Sequence, residues 1–227
     1  QTSNHKERFL KLGIEESCIQ EVGSVKFDIS SINVNPLKNP PFILGASTHS
    51  GEEKKLLNAY LRLMSKINLK LFICPRHIER ADDIAKQATL MGLKTKLFSN
   101  KELNDFDVCI IDNVGLLPNF YASSLISFVG GSLVPRGGHN LIEPAALGSP
   151  IIIGPHTFNF EDIVQKFVND DACIIVNSED ELFDAIELLA QNSNIANQYA
   201  SRAKKVVEKN KGSTEVQASY IINQLGE

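Results

Sequence analysis

A chain of 227 residues can form one large domain, or one domain with a piece of another attached. Its 43% apolar and 22% charged residues support a full core under an ordinary polar surface, and a net charge of -4 excludes a generally nucleic-acid-binding one. No run approaches the roughly 18 apolar residues of a spanning helix. Any membrane association is therefore expected through parts outside this sequence. The chain begins at Gln1, with neither a methionine nor a signal-peptide pattern, and reads as a fragment of something longer.

In chain order, residues 2–12 form a short amphipathic helix candidate that ends at Gly13, and residues 19–27 look strand-like. Residues 30–41 (SSINVNPLKNPP) lose apolar periodicity and carry three prolines, which is a linker signature. From residue 41 the rhythm becomes strand, helix, strand, helix. Strands are expected at 42–47, 69–74, 94–98, 108–111, 124–129, 151–153 and 172–176. Helices are expected at 51–67, 79–91, 116–122, 141–147, 160–168 and 180–191. Residues 195–225 read as one or two more, broken near Gly212. Near-continuous apolar strands alternating with amphipathic helices predict an α/β, Rossmann-like parallel sheet with helices on both faces. The cysteines Cys18, Cys74, Cys109 and Cys173 are scattered, and the last three fall in or at the ends of predicted strands. Small core thiols in a reducing compartment explain them.

Parallel sheets bind ligands beyond the C-terminal ends of their strands. His49, His77, His139 and His156 all fall in such turns, beside Thr48, Arg76 and Asn140. The stretch from Phe128 to Asn159 places two glycine pairs (Gly130 and Gly131, Gly137 and Gly138), an arginine and a histidine before a helix start, an arrangement suited to an anion. Arg76 closes a strand at Pro75 and is suited to a phosphate, although pairing with Glu79 would also explain it. Ser50 and Glu53 fit a capping box. Asn140 fits a helix cap, and Glu143 fits either a first-turn carboxylate or a partner for ribose hydroxyls. The sequence contains no G-x-G-x-x-G, P-loop or G-x-S-x-G motif, and no histidine pair has zinc spacing. Neither a cofactor nor a metal is expected.

Residues 45–49 (GASTH), Pro75 with Arg76 and His77, residues 128–140 (FVGGSLVPRGGHN) with 141–145, and residues 154–160 (GPHTFNF) together closely resemble one family. They are the 3-deoxy-D-manno-octulosonic acid (Kdo) transferases of lipopolysaccharide assembly. Residues 23–28 (GSVKFD) also resemble the segment that ends the family's N-terminal domain. The resemblance implies the C-terminal, donor-binding half of a GT-B glycosyltransferase. Residues 1–30 would end the N-terminal domain, 31–41 would link, and 42–227 would bind the nucleotide sugar. It implies CMP-Kdo as donor, a lipid A precursor as acceptor, and action at the cytoplasmic face of the bacterial inner membrane. CMP would touch Pro75 and Arg76, then Val114, Gly115 and Leu116, and Asn140, Leu141, Ile142 and Glu143. Thr48, His49, Gly138 and His139 are further candidates. Leu116 stands where the family usually has an acidic residue, which leaves a main-chain contact there and removes a side-chain one. The family's catalytic base lies in its N-terminal domain, so this chain alone is expected to turn nothing over. A sugar-nucleotide epimerase of the same architecture and a non-catalytic nucleotide-binding module are the other readings.

Overall fold

The computed structural model describes residues 2–29, 33–37, 41–100 and 104–225. Seven parallel strands form one sheet: β1 (Phe42–Thr48), β2 (Lys70–Pro75), β3 (Thr95–Leu97), β4 (Val108–Ile110), β5 (Ile126–Val129), β6 (Ile151–Ile153) and β7 (Ile174–Ile175). Their order is β3-β4-β2-β1-β5-β6-β7. The chain winds outward from β1 in one direction through β2 and in the other through β5, so the order reverses at the β1–β5 seam.

The strands alternate their side chains between two packed faces. Ile43, Ile73, Ile126 and Phe128 meet α2 (Glu52–Leu63), α3 (Ala81–Leu90) and α7 (Glu179–Gln191) through Leu56, Ile84 and Ile186. On the opposite face, Phe42, Leu44 and Phe72 pack with Phe120 of α4 (Leu117–Tyr121). Further along that face, Val129, Ile151 and Ile153 meet α5 (Ile142–Ala146), α6 (Glu161–Asn169) and α8 (Ser193–Lys209). Gly45 is required where α2 crosses β1, because a Cβ there would collide with the Leu56 side chain. The expected parallel α/β sandwich is the fold.

Outside the sheet, the N-terminal helix α1 (Ser3–Lys11) stops before Gly13, whose φ of +87° ends the helix in the left-handed region. The tail is two helices, α8 and α9 (Ser213–Leu225), broken at Gly212 with φ of +98°. Cys74, Cys109 and Cys173 are buried and Cys18 is exposed. Burial pushes the Cys74 thiol up to about 11 and those of Cys109 and Cys173 up to about 12, so all three are unreactive core residues.

One expectation is corrected. Residues 19–27 form no strand; they contain a single 3-10 turn, Val25–Phe27, capped by Ser24. Gly23 at φ of +79° interrupts any extended run, and the stretch meets no sheet edge. Phe27 is instead buried among Val129, Leu141 and Phe167, and Asp28 accepts the amides of Gly212 and Thr214. The expected linker falls partly outside the described residues. Within 33–37, the Asn35 and Leu37 amides donate to Asn119 Oδ1 and Ser123 Oγ, each at 2.8 Å.

Candidate functional site

Beyond the C-terminal ends of β1, β2 and β5, three of the predicted histidines converge. The His49 and His139 rings lie parallel within 5°, with Nε2 to Nε2 at 3.0 Å, so one ring donates a proton that the other accepts. His77 meets His49 edge-on, with centroids 5.8 Å apart. Burial lowers the pKa of His139 to about 4, helped by His49 and Arg76; burial also lowers that of His49, helped by His77 and Arg136. Held below the ordinary imidazole value, both rings are predominantly neutral at pH 7, and the shared proton needs only that the accepting nitrogen be unprotonated.

The conformation that brings them together is strained. Ser47 takes φ of +52° at the end of β1, where pairing with β2 skips from Ala46 to Thr48. That kink turns His49 out of the strand direction and draws the Thr48 carbonyl onto the Arg76 amide at 2.9 Å. The Thr48 side chain, a predicted ligand group, is fully buried and its hydroxyl has no hydrogen-bond partner among the described residues, so Thr48 acts here through its main chain. Gly130 permits the kink, because a Cβ would stand 2.6 Å from the Ser47 carbonyl oxygen and 2.7 Å from Thr48 Cα.

Gly131 of the first glycine pair does join a nest of amides, but a carboxylate of the chain already fills it, while the Gly130 amide donates to the Ala46 carbonyl. Glu52 Oε2 accepts from His49 and Gly131 at 2.9 and 2.7 Å, and Oε1 accepts from Ser132 and Leu133 at 3.0 and 2.8 Å. Burial holds the Glu52 pKa above the ordinary carboxylate value, and those amides offset part of that rise. Four donors and no acceptor around it mark the ionised form. Sequence reasoning missed Glu52, three of whose four partners lie about 80 positions away. It also misassigned its neighbours: the Ser50–Glu53 capping box does not form. Gly51, with φ of +97°, precedes the helix without a side-chain cap, and Glu53 binds Arg80 through two bonds of 2.7 and 3.2 Å. The physical reason is competition, since a charged, half-buried guanidinium partner held by two bonds outweighs one exposed amide.

With the nest filled, the groups free to meet an anion are elsewhere. Arg76 is exposed, and among the described residues no carboxylate pairs with it; the suggested Glu79 partner does not reach it. The amides of His139, Asn140 and Leu141 donate to no acceptor among the described residues, whereas Ile142 N–H is taken by Asn140 Oδ1 at 3.1 Å and Gly138 N–H by the Gly131 carbonyl. Asn140 thus closes a side-chain turn onto the Ile142 amide, one residue ahead of Leu141, the N-cap of α5. Leu141 and Ile142 bury their side chains, leaving only main chain for a ligand. Glu143, half-buried in the first turn of α5, accepts no hydrogen bond from the described residues. Pro75 is buried in β2, opposite Thr48. Val114 is 80% exposed and Gly115, with φ of +84°, lies open in the turn before α4, while Leu116 packs against the Phe72 and Phe120 core. That turn therefore presents its main chain and the Val114 side chain, but not that of Leu116. Among the described residues no cluster of histidine, cysteine or acidic side chains could hold a metal ion, and no helix is long and apolar enough to cross a membrane.

A parallel sheet with its polar cluster at the point where strand order reverses is the donor-side architecture of GT-B glycosyltransferases, and this chain has that fold. At the level of fold alone, an O-GlcNAc transferase from Thermobaculum terrenum is similar, with a TM-score of 0.56 at 8% identity over 83% of this chain and 36% of that one. The C-terminal CMP-Kdo binding domain of WaaA from Acinetobacter baumannii matches with a TM-score of 0.71 and 33% identity, covering 75% of this chain and 90% of that one. In sequence, the chain is 33% identical over 219 residues to a 3-deoxy-D-manno-octulosonic acid transferase of Haemophilus influenzae, and 34% identical over 203 residues to one of Aquifex aeolicus. These alignments cover 90% and 88% of this chain and 51% and 56% of the two relatives, so the chain spans about half the length of the curated relatives it matches. No protein-family model matches it. The chain belongs to the 3-deoxy-D-manno-octulosonic acid transferase family.

Proposed function

We propose that these residues are the donor-binding half of a Kdo transferase and hold CMP-Kdo by its CMP end. The observation that carries this reading is the pairing of an unneutralised guanidinium, Arg76, with the uncommitted amides of His139, Asn140 and Leu141 at one edge of the sheet. They would grip the phosphate, the free Glu143 carboxylate would accept the ribose hydroxyls, and the turn at Val114, Gly115 and Leu116 would meet the base through its main chain. As the glycosidic bond breaks, negative charge grows on the departing phosphate, and donors already in place stabilise it without reorganising. The acceptor, a lipid A precursor, and the base that takes its proton would come from a part of the enzyme outside these residues, acting at the inner face of the membrane.

Calorimetric titration with CMP and with UDP tests the reading. CMP is expected to bind in preference. Arg76→Ala should weaken CMP about 10- to 100-fold, the worth of a charge-assisted hydrogen bond. Preference for UDP would favour an epimerase of the same architecture. No heat with CMP, or unchanged affinity in Arg76→Ala and Glu143→Ala, would overturn the assignment.

A further inference from the structure

Beside the phosphate groups lies a second cavity of about 200 Å³, lined by His49, Ser50, His77, Arg80 and Arg136. Every polar group on its wall can donate to an oxyanion: two imidazoles, a hydroxyl and two guanidiniums. No carboxylate lines it. Of the carboxylates beside it, Glu53, 2% exposed, is spent in holding Arg80, and Glu52 in holding the amides of His49 and the loop. Arg136, exposed in the turn after β5, pairs with no carboxylate among the described residues, so it leaves the wall net positive. The volume suits a small acidic fragment and excludes a nucleotide.

The position of the cavity selects its occupant. Its imidazoles continue a row that begins at the uncommitted amides: His139 joins His49 at a centroid distance of 5.3 Å, and His49 joins His77 at 5.8 Å. Two anion sites therefore lie side by side, one at Arg76 and the amides and one at Arg80 and Arg136. An octulosonic acid linked to a nucleotide places two anions side by side in the same way, because its anomeric carbon bears both the carboxylate and the bridging phosphate oxygen. We propose that the cavity walled by His49, Ser50, His77, Arg80 and Arg136 binds the carboxylate of the donor's sugar. This rests on the donor reading above, and it makes the cavity the element that separates sugar-acid donors from neutral ones. Arg80, fixed by Glu53, would present its guanidinium in one place, and Arg136 would close over the anion from the turn.

Three ligands separate the carboxylate from the phosphate: CMP, a non-hydrolysable phosphonate analogue of CMP-Kdo, and the methyl ester of that analogue, in which the carboxylate charge is removed. With the chain as it stands, the acid analogue should bind at least about tenfold more tightly than the ester. Arg136→Ala, an exposed position that the fold does not need, should bring that ratio close to one, and Arg136→Lys should restore part of it. A ratio that Arg136→Ala leaves unchanged overturns the inference while the donor reading stands. So does an equal loss for CMP and for the acid analogue, which would make the cavity a phosphate site. Failure of the wild type to bind CMP at all would remove the donor reading, and this inference with it.

Discussion

Glu52 does at the residue scale what the sequence suggested a ligand would do. Its carboxylate saturates the amides of Gly131, Ser132 and Leu133 and so sets the loop on which His139 stands. Glu52→Gln keeps the shape but turns an NH2 toward two of the four donors, and each buried donor left unpaired costs about 1–3 kcal/mol. A loss of about 2–4 kcal/mol is expected, read as a lower denaturant midpoint with an unchanged slope. A midpoint within error of wild type would show that the nest does not need its anion. His139 gives a pH prediction with a definite sign. Its folded pKa of about 4 lies below the unfolded 6.5, so the unfolded chain binds the proton first. Stability is full above pH 6.5 and falls as the pH drops through that window. Thermal melts between pH 7 and 5, above most carboxylate titration, should slope downward in wild type and less steeply in His139→Asn; identical slopes would contradict the assignment.

Elements were legible where period and burial agree, and illegible where a single residue decides. The strands at 42–47, 69–74 and 151–153 read directly from apolar runs too short for helices. Residues 19–27 are less apolar, with four apolar residues in nine, and there Gly23 breaks the extension while Phe27 leaves for the core under α8. The glycine pairs announced a turn and an anion correctly, but not that the first anion is internal, because no local pattern links Glu52 to Gly131. Candidate residues followed the same division. Arg76, Arg136, His49, His139, Asn140 and Glu143 were visible as polar groups at strand ends or in the glycine loop, whereas Arg80 joins them only through the winding of β2 toward β1. Two glycines test this element-scale account. Gly130→Ala must push the ends of β1 and β5 apart, so a loss of about 1–3 kcal/mol together with weaker CMP binding is expected. Gly148→Ala meets open space and pays only for its φ of +78°, about 1 kcal/mol, with CMP affinity intact. Equal effects on binding from the two would show that the β1–β5 seam does not shape the site.

At the scale of the whole molecule, seven parallel strands wound outward from β1 put the ends of β1, β2 and β5 together, and the charged and uncommitted groups collect there. A larger cavity, about 490 Å³, lies on the flank of α3 and β3 between Ala85, Leu90 and Leu97, and none of the predicted site residues lines it. Size alone would place a ligand there; the donors that an anion requires lie at the other location. The two locations make opposite predictions for backbone amide shifts when isotope-labelled chain is titrated with CMP. If the account is right, saturable shifts appear at Arg76, Gly115, His139, Asn140, Leu141 and Glu143 and disappear in Arg76→Ala. Saturable shifts confined to α3 and β3, with residues 139–143 unmoved, would contradict it.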